Sequence, residues 1–207
     1  MKKSLLLILS TLMLLRLPAQ WKGGAEQYLA ITPSAQQAFY SIVVNVQAPG
    51  CWFAEIRHNY DEVGSISINS GRSFSFGKKL LLELKPMVGI VTGSVTGLNF
   101  NFAQEFEWKN FYYSSKIQYM HSLKSSGLDF FYTWHETGYY LSKNFFSGVS
   151  FQAVLPHQCK IEYSKGIVIG FSPGNWSFPL YVLDPFRSSR HILAGICFNG
   201  KFNNPIP

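Results

Sequence analysis

Long runs of strict two-residue alternation occupy residues 51–202 and restrict what this chain can fold into more than any other feature. In an extended chain successive side chains point to opposite faces, so a period of two sorts residues onto two surfaces. From Ser65 to Phe76, Ile66, Ile68, Phe74 and Phe76 share one face, and Ser65, Ser67, Asn69, Gly71, Ser73 and Ser75 share the other. From Cys51 to Asp61, Trp52, Ala54, Ile56 and Tyr60 oppose Glu55, Arg57, Asn59 and Asp61. The same separation recurs in Leu80 to Thr92, Thr96 to Glu107, Lys109 to His121 and Phe145 to Leu155. Leu128 to Tyr140 is aromatic on both faces and is left unoriented. Shorter runs, Gly166 to Ser172 and Trp176 to Leu183, precede a last strand from Arg190 to Phe202, which makes ten strands.

Strand length separates two classes that both alternate. A soluble β-sandwich uses strands of about 5–6 residues and turns its apolar face to a core. A membrane barrel uses tilted strands of about 9–11 residues whose apolar face meets lipid and whose polar face lines the lumen. Most runs here are longer than a sandwich needs, and their second face is Ser, Asn, Gly, Glu and Lys. Composition agrees: charged residues are 14% of the chain, against about 25% in ordinary soluble domains. Aromatics reach 16%, yet no stretch past the N-terminus approaches the roughly 20 apolar residues of a spanning helix. The expected fold is all-β, a transmembrane antiparallel up-and-down β-barrel of ten strands, with eight or twelve as alternatives. The links fit an up-and-down order. Gly77-Lys78-Lys79, Trp108-Lys109, Ser142-Lys143-Asn144 and Pro173-Gly174-Asn175 are short, whereas His121 to Gly127 and Pro156 to Lys165 are longer. Short turns belong at the periplasmic end of such barrels and long loops outside.

The first residues read as an export signal. Lys2 and Lys3 precede an apolar stretch from Leu5 to Leu15, and Ala19 offers a small residue for cleavage. The expected organisation is a signal peptide at 1–19, a periplasmic or lumen-entering lead segment at 20–50, the barrel at 51–202 and a tail at 203–207. Phe39 to Val46 has the pattern of a further strand, but one extra strand would make the total odd, so it is assigned to the lead segment. Removing Lys2, Lys3 and Arg16 lowers the formal net charge from +7 to +4. That scattered balance argues against nucleic-acid binding. The bacterial outer membrane is the expected location, with outer-membrane lipid and the barrel-assembly machinery as partners, and the chain as a monomer.

Candidate chemistry concentrates on the inner face. Glu55, Arg57, Glu83, Lys85, Glu105, Glu107, Lys116 and Lys201 fall at inward positions and form the expected lumen charge network. Glu83 is expected opposite or diagonal to Glu105, with Lys85 or Arg57 compensating. Gly170-Phe171-Ser172-Pro173-Gly174 matches a GxSxG nucleophile elbow in letters, but it lies in a turn between strands and Pro173 lacks the N–H that an oxyanion hole needs. His58, His121, His157 and His191, with Cys159, Asp61 and Glu162, gather near the outer rim and are the residues from which a rim enzyme would be built. Cys51, Cys159 and Cys197 are odd in number and lack CxxC spacing, so at most one pair forms and no zinc site is expected. No cofactor is implied.

The stretches WFAEIRHNY, GSISINSGRSFSFG, KPMVGIVTG, FFYTWHE and GIVIGF give the chain a resemblance over roughly residues 51–200. It resembles a group of small uncharacterised outer-membrane barrels of Gram-negative bacteria. That resemblance implies a location and a fold and transfers no functional residues. The expected role is a narrow passive channel or a structural or accessory envelope component, in the latter case with an envelope protein partner. The alternative is a lipid or peptide hydrolase with its site at the extracellular rim.

Overall fold

The computed structural model describes residues 21–33, 37–77, 79–124, 129–157, 160–187 and 189–202, without the side chains of 201 and 202. The strands are β1 (Trp21–Thr32), β2 (Gln37–Gln47), β3 (Trp52–His58), β4 (Ser65–Arg72), β5 (Phe74–Phe76), β6 (Leu80–Gly93), β7 (Gly97–Trp108), β8 (Phe111–Ser122), β9 (Phe130–Tyr140), β10 (Phe145–Pro156), β11 (Glu162–Phe171), β12 (Trp176–Leu183) and β13 (His191–Phe202). Every pairing is antiparallel, and β1 closes on β13 with Trp21 opposite Phe202 and Ile31 opposite Ile192. The result is a closed ring of twelve strands with β5 outside it, paired to β6 alone. β5 keeps the register of β4: Gly71 faces Met87 and Phe74 faces Leu84. Between them lies Pro86, which has no N–H to give the ladder.

Twelve strands correct the expected ten, and the difference lies wholly in residues 21–47. These are β1 and β2, wall strands rather than a lead segment. Lys22 through Thr32 pair with Gln47 through Gln37, while the other edge of β1 takes β13. Two strands join together, so the total remains even. Their pattern is faint because the inward face of β1 carries Tyr28 and Ala30 and its outward face includes Gly23 and Gln27. The proposed signal peptide and the tail at 203–207 lie outside the described residues.

A second correction concerns Tyr60, expected on the outward face with Trp52 and Ile56. Asn59 has φ 52, a left-handed conformation. The alternation breaks there, β3 ends at His58, and Tyr60 turns into the lumen beside Asp61. Elsewhere the two faces are as the alternation implies. Val88, Ile90, Ile68 and Phe100 are at least half exposed on the outer wall, while Ser65, Ser67, Asn69 and Asn99 are fully buried on the inner one. A continuous apolar exterior of this kind suits hydrocarbon and would be a liability in water.

The two ends differ. Trp21, Phe202 and the turns at 48–51, 77–79, 109–110, 141–144 and 172–175 share one end, the turn end. The longer links at 59–64, 123–129 and 184–190 share the other, the loop end. Tight turns are made by left-handed residues such as Gly77 (φ 86) and Lys109 (φ 55).

If β1 and β2 close the ring, a chain lacking residues 21–47 leaves β3 and β13 with unpaired edges. It is expected to yield no compact species resistant to unfolding in cold dodecyl sulfate, as read by gel mobility with and without heating. A folded band from that truncation would instead favour the ten-strand barrel.

Candidate functional site: the lumen

The interior has two unlike walls. The one built by β3 to β8 is charged and amide-rich. Arg57 on β3 donates from Nε to Glu55 Oε1 at 2.7 Å, and from Nη1 to Asn101 Oδ1 at 3.1 Å and Gln118 Oε1 at 2.9 Å. Asn101 Nδ2 donates to Asn69 Oδ1 at 2.9 Å, and Gln118 Nε2 donates to Asn99 Oδ1 at 3.1 Å and to Asp61 Oδ1. A buried guanidinium persists only when its donors are occupied, and here β3, β7 and β8 supply the acceptors. Nearer the turn end, Lys85 Nζ sits 3.2 Å from Glu83 and 3.1 Å from Glu105. Glu83 and Glu105 are direct partners across β6 and β7, as expected, and Lys85 is the cation that compensates them. Ser73 Oγ also donates to Glu83.

The opposite wall is aromatic. Tyr28, Tyr112, Trp134, Phe146 and Tyr181 pack as one buried cluster with Val168 and Leu183. Glu136 stands among them. Its two carboxylate oxygens accept from Tyr112 OH at 2.8 Å and Tyr181 OH at 2.7 Å. Trp134 Nε1 donates to Ser150 Oγ at 2.9 Å.

The walls meet at mid-height. Glu26 on β1 accepts from Lys116 on β8 at 2.8 Å, and these strands are six places apart in either direction round the ring of twelve. The pair therefore spans the lumen along a diameter. Lys116 Nζ also lies 5.8 Å from the Trp134 ring and 5.9 Å from the Tyr60 ring, within cation–π range. Beside it Tyr28 meets Trp134 edge-on at 5.6 Å. This belt separates a loop-end cavity of 480 Å³ from turn-end cavities of 350 and 250 Å³. Tyr28 and Trp134 line both the first and the second of these spaces.

The structure gathers Glu55, Arg57, Glu83, Lys85, Glu105 and Lys116 into these networks. Glu107 lies beyond Glu105 toward the turn end, exposed and in no ion pair among the described residues. Lys201 is at the base of β13 opposite Lys22, with its side chain outside the described residues. Glu26, Asp61 and Glu136 were missing from the expected network. Glu26 was hidden in the segment read as a leader, and Glu136 in the strand aromatic on both faces. The outward neighbour of Glu136, His135, faces lipid with its nitrogens against Tyr113 OH at 2.9 Å and Thr133 Oγ1. Polar groups on that wall have no water to satisfy them and must satisfy each other.

Asp61, Glu162 and His191 line the loop-end cavity, and among the described residues the rim histidines engage their neighbours rather than one another. His121 Nδ1 lies 3.1 Å from Asp129 Oδ2. His191 Nδ1 is 3.2 Å from its near neighbour Ser189 O, and the His58 ring packs on Tyr40. His157 donates its backbone N–H to Asp129 O, and Cys159 lies outside the described residues. Asp129 anchors the loop: the Ser122 N–H donates to Oδ1 at 2.7 Å and holds the carboxyl below its ordinary range, helped by His121 and Tyr119. Ser172 of the GxSxG sequence bonds Ser177 Oγ at 2.8 Å beside the hairpin turn at Gly174. Cys51 and Cys197 are free thiols, and no group of three metal-ligating side chains occurs among the described residues.

No protein-family model matches the chain, and no curated protein sequence matches it. Solved structures do. The KdgM porin superimposes with a TM-score of 0.59 at 8% identity, covering 84% of this chain and 98% of that one. The KdgM porin in complex with disordered oligogalacturonate gives 0.56 at 8% identity, covering 86% and 98%. The NanC porin gives 0.53 at 6% identity, covering 84% and 97%. The chain has a porin-like outer-membrane β-barrel fold. At such identities the likeness concerns architecture, and the lumen must be read from its own residues.

The diametric pair is the feature most open to perturbation. Glu26→Ala leaves the Lys116 ammonium without its carboxylate. It is expected to cost about 1–3 kcal/mol in urea unfolding from lipid vesicles, below the 3–5 kcal/mol of a fully buried pair because Lys116 keeps some solvent contact. Glu26→Ala combined with Lys116→Met is expected to recover most of the loss.

Proposed function

We propose that this chain is a narrow passive channel of the bacterial outer membrane, folded as a monomer with outer-membrane lipid against its wall. The observation that carries the reading is the lumen itself: cavities open from both ends and are separated by side chains, Tyr28, Trp134, Glu26 and Lys116. Eight-stranded barrels are just filled by their side chains, and barrels of sixteen or more leave a wide aqueous channel. Twelve strands fall between, where long side chains reaching from opposite walls set the bore. A belt of this kind passes ions when its rotamers fluctuate, and its charges act on whatever crosses. The porin names of the neighbouring folds support a channel.

The turn end is then periplasmic and the loop end extracellular, matching the asymmetry of turn lengths. Export by the signal peptide and insertion by the barrel-assembly machinery complete this reading.

The purified barrel in a planar bilayer is expected to show small, discrete conductance steps. Trp134→Ala opens the belt and is expected to raise the step at least twofold, while Glu105→Gln changes the ratio of cation to anion permeation. An electrically silent protein, with silent variants, would sink the channel reading.

A further inference from the structure

Charge is distributed within the barrel against the sign of the whole chain. The chain is formally +7, yet among the described residues nine carboxylates and four Lys or Arg side chains line the three lumen cavities. The loop-end cavity is the extreme case. Asp61, Glu62, Asp129 and Glu162 line it, with no Lys or Arg among the described residues. Like charges on the low-dielectric walls of a cleft focus the field and concentrate the opposite ion.

A second observation is independent of that count. The Asp61 side chain is 1% exposed, and while Oδ1 is engaged by Gln118 and Arg57, Oδ2 is buried with no hydrogen-bond partner. A carboxylate oxygen left so is costly unless a donor reaches it. The same cavity is walled by the rings of Tyr132 and Trp134, whose faces attract cations.

The barrel also shows how it holds cationic groups of its own. Three basic side chains of the inner network each meet a carboxylate and an aromatic face together: Arg57 with Glu55 and Tyr60, Lys85 with Glu83 and Phe53, Lys116 with Glu26 and Trp134. Lys116 is in effect an alkylammonium bound at the belt just below the loop-end cavity. We infer that the loop-end cavity binds amine-bearing solutes, molecules carrying one or more alkylammonium groups, and that these are what the lumen admits.

This rests on the channel reading and names its solute class. It departs from the polyanionic oligogalacturonate found with the KdgM porin, because a polyanion would meet four carboxylates and no lining Lys or Arg among the described residues. A neutral sugar would stack on the rings and donate hydroxyls to the carboxylates, but it would leave their negative charge unbalanced. A bare divalent ion would not use the rings.

The test places the full barrel in a planar bilayer under a potassium chloride gradient and adds 1,4-diaminobutane or galacturonate on the loop side. The reversal potential is expected to show preference for potassium over chloride. Diaminobutane is expected to reduce the current at millimolar concentration, and galacturonate to leave it unchanged. Asp61→Asn, and separately Glu162→Gln on the exposed rim, should raise the concentration for half-reduction at least fivefold and twofold respectively. Chloride preference, reduction by galacturonate, or a block that neither variant moves overturns the inference. Calorimetry of diaminobutane with the detergent-solubilised barrel reads binding without current. Binding by a silent barrel would keep the amine site and remove the channel, and no binding would remove the amine site whatever the current.

Discussion

In hydrocarbon there is no water to take up an unpaired backbone N–H or C=O, so a sheet that crosses it must have no open edge. Every other property of this barrel follows from that constraint. It requires β1 to meet β13, and it makes the count even because an antiparallel ring alternates direction at each step. It also governs where the ladder can be imperfect. Pro86 and Pro179 each withhold a donor, and each sits inside a strand whose register continues undisturbed on both sides. The closed ring bears the gap because neighbouring pairs fix the strand in place.

Closure at twelve strands then creates a problem of width. Side chains of ordinary length do not fill such a lumen. The solution is division: one wall carries long charged side chains reaching inward, the other carries large rings, and the two meet along the diameter from Glu26 to Lys116. The ion pair holds the walls at a fixed separation while Tyr28 and Trp134 fill the remaining gap. The Arg57 network above it spans shorter chords, since Asn101 and Gln118 lie three and four places away round the ring.

Much of this was legible before any coordinates, for a physical reason. Where one face meets lipid and the other meets polar space, the alternation is enforced at every residue. The inward set Glu55, Arg57, Glu83, Lys85, Glu105 and Lys116 could therefore be read directly, as could the Glu83–Glu105 pairing with its cation. The rule fails wherever the inner surface is itself apolar. Tyr28, Trp134 and Tyr181 make the aromatic wall look like lipid-facing surface, so β9 could not be oriented and β1 was not seen as a strand. The left-handed Asn59 defeats the rule differently, by inserting a backbone turn that shifts phase without changing composition. Glu26 and Glu136 were missed because each sits on one of those ambiguous strands. The amine site depends on Asp61, whose position beside Tyr60 only the backbone reveals.

The aromatic wall has a spectroscopic consequence. Trp52, Trp108 and Trp176 stand well exposed on the outer surface, whereas Trp134 is 8% exposed and faces the lumen across from Tyr28. Excited-state light from this barrel therefore comes from two compartments that share no solvent. Lipid chains bearing heavy atoms reach the outer indoles, and a dissolved quencher small enough to pass the loops reaches the inner one. The two signals can be separated without any added label, so occupancy of the lumen and embedding in the bilayer become independent measurements on the same unmodified chain.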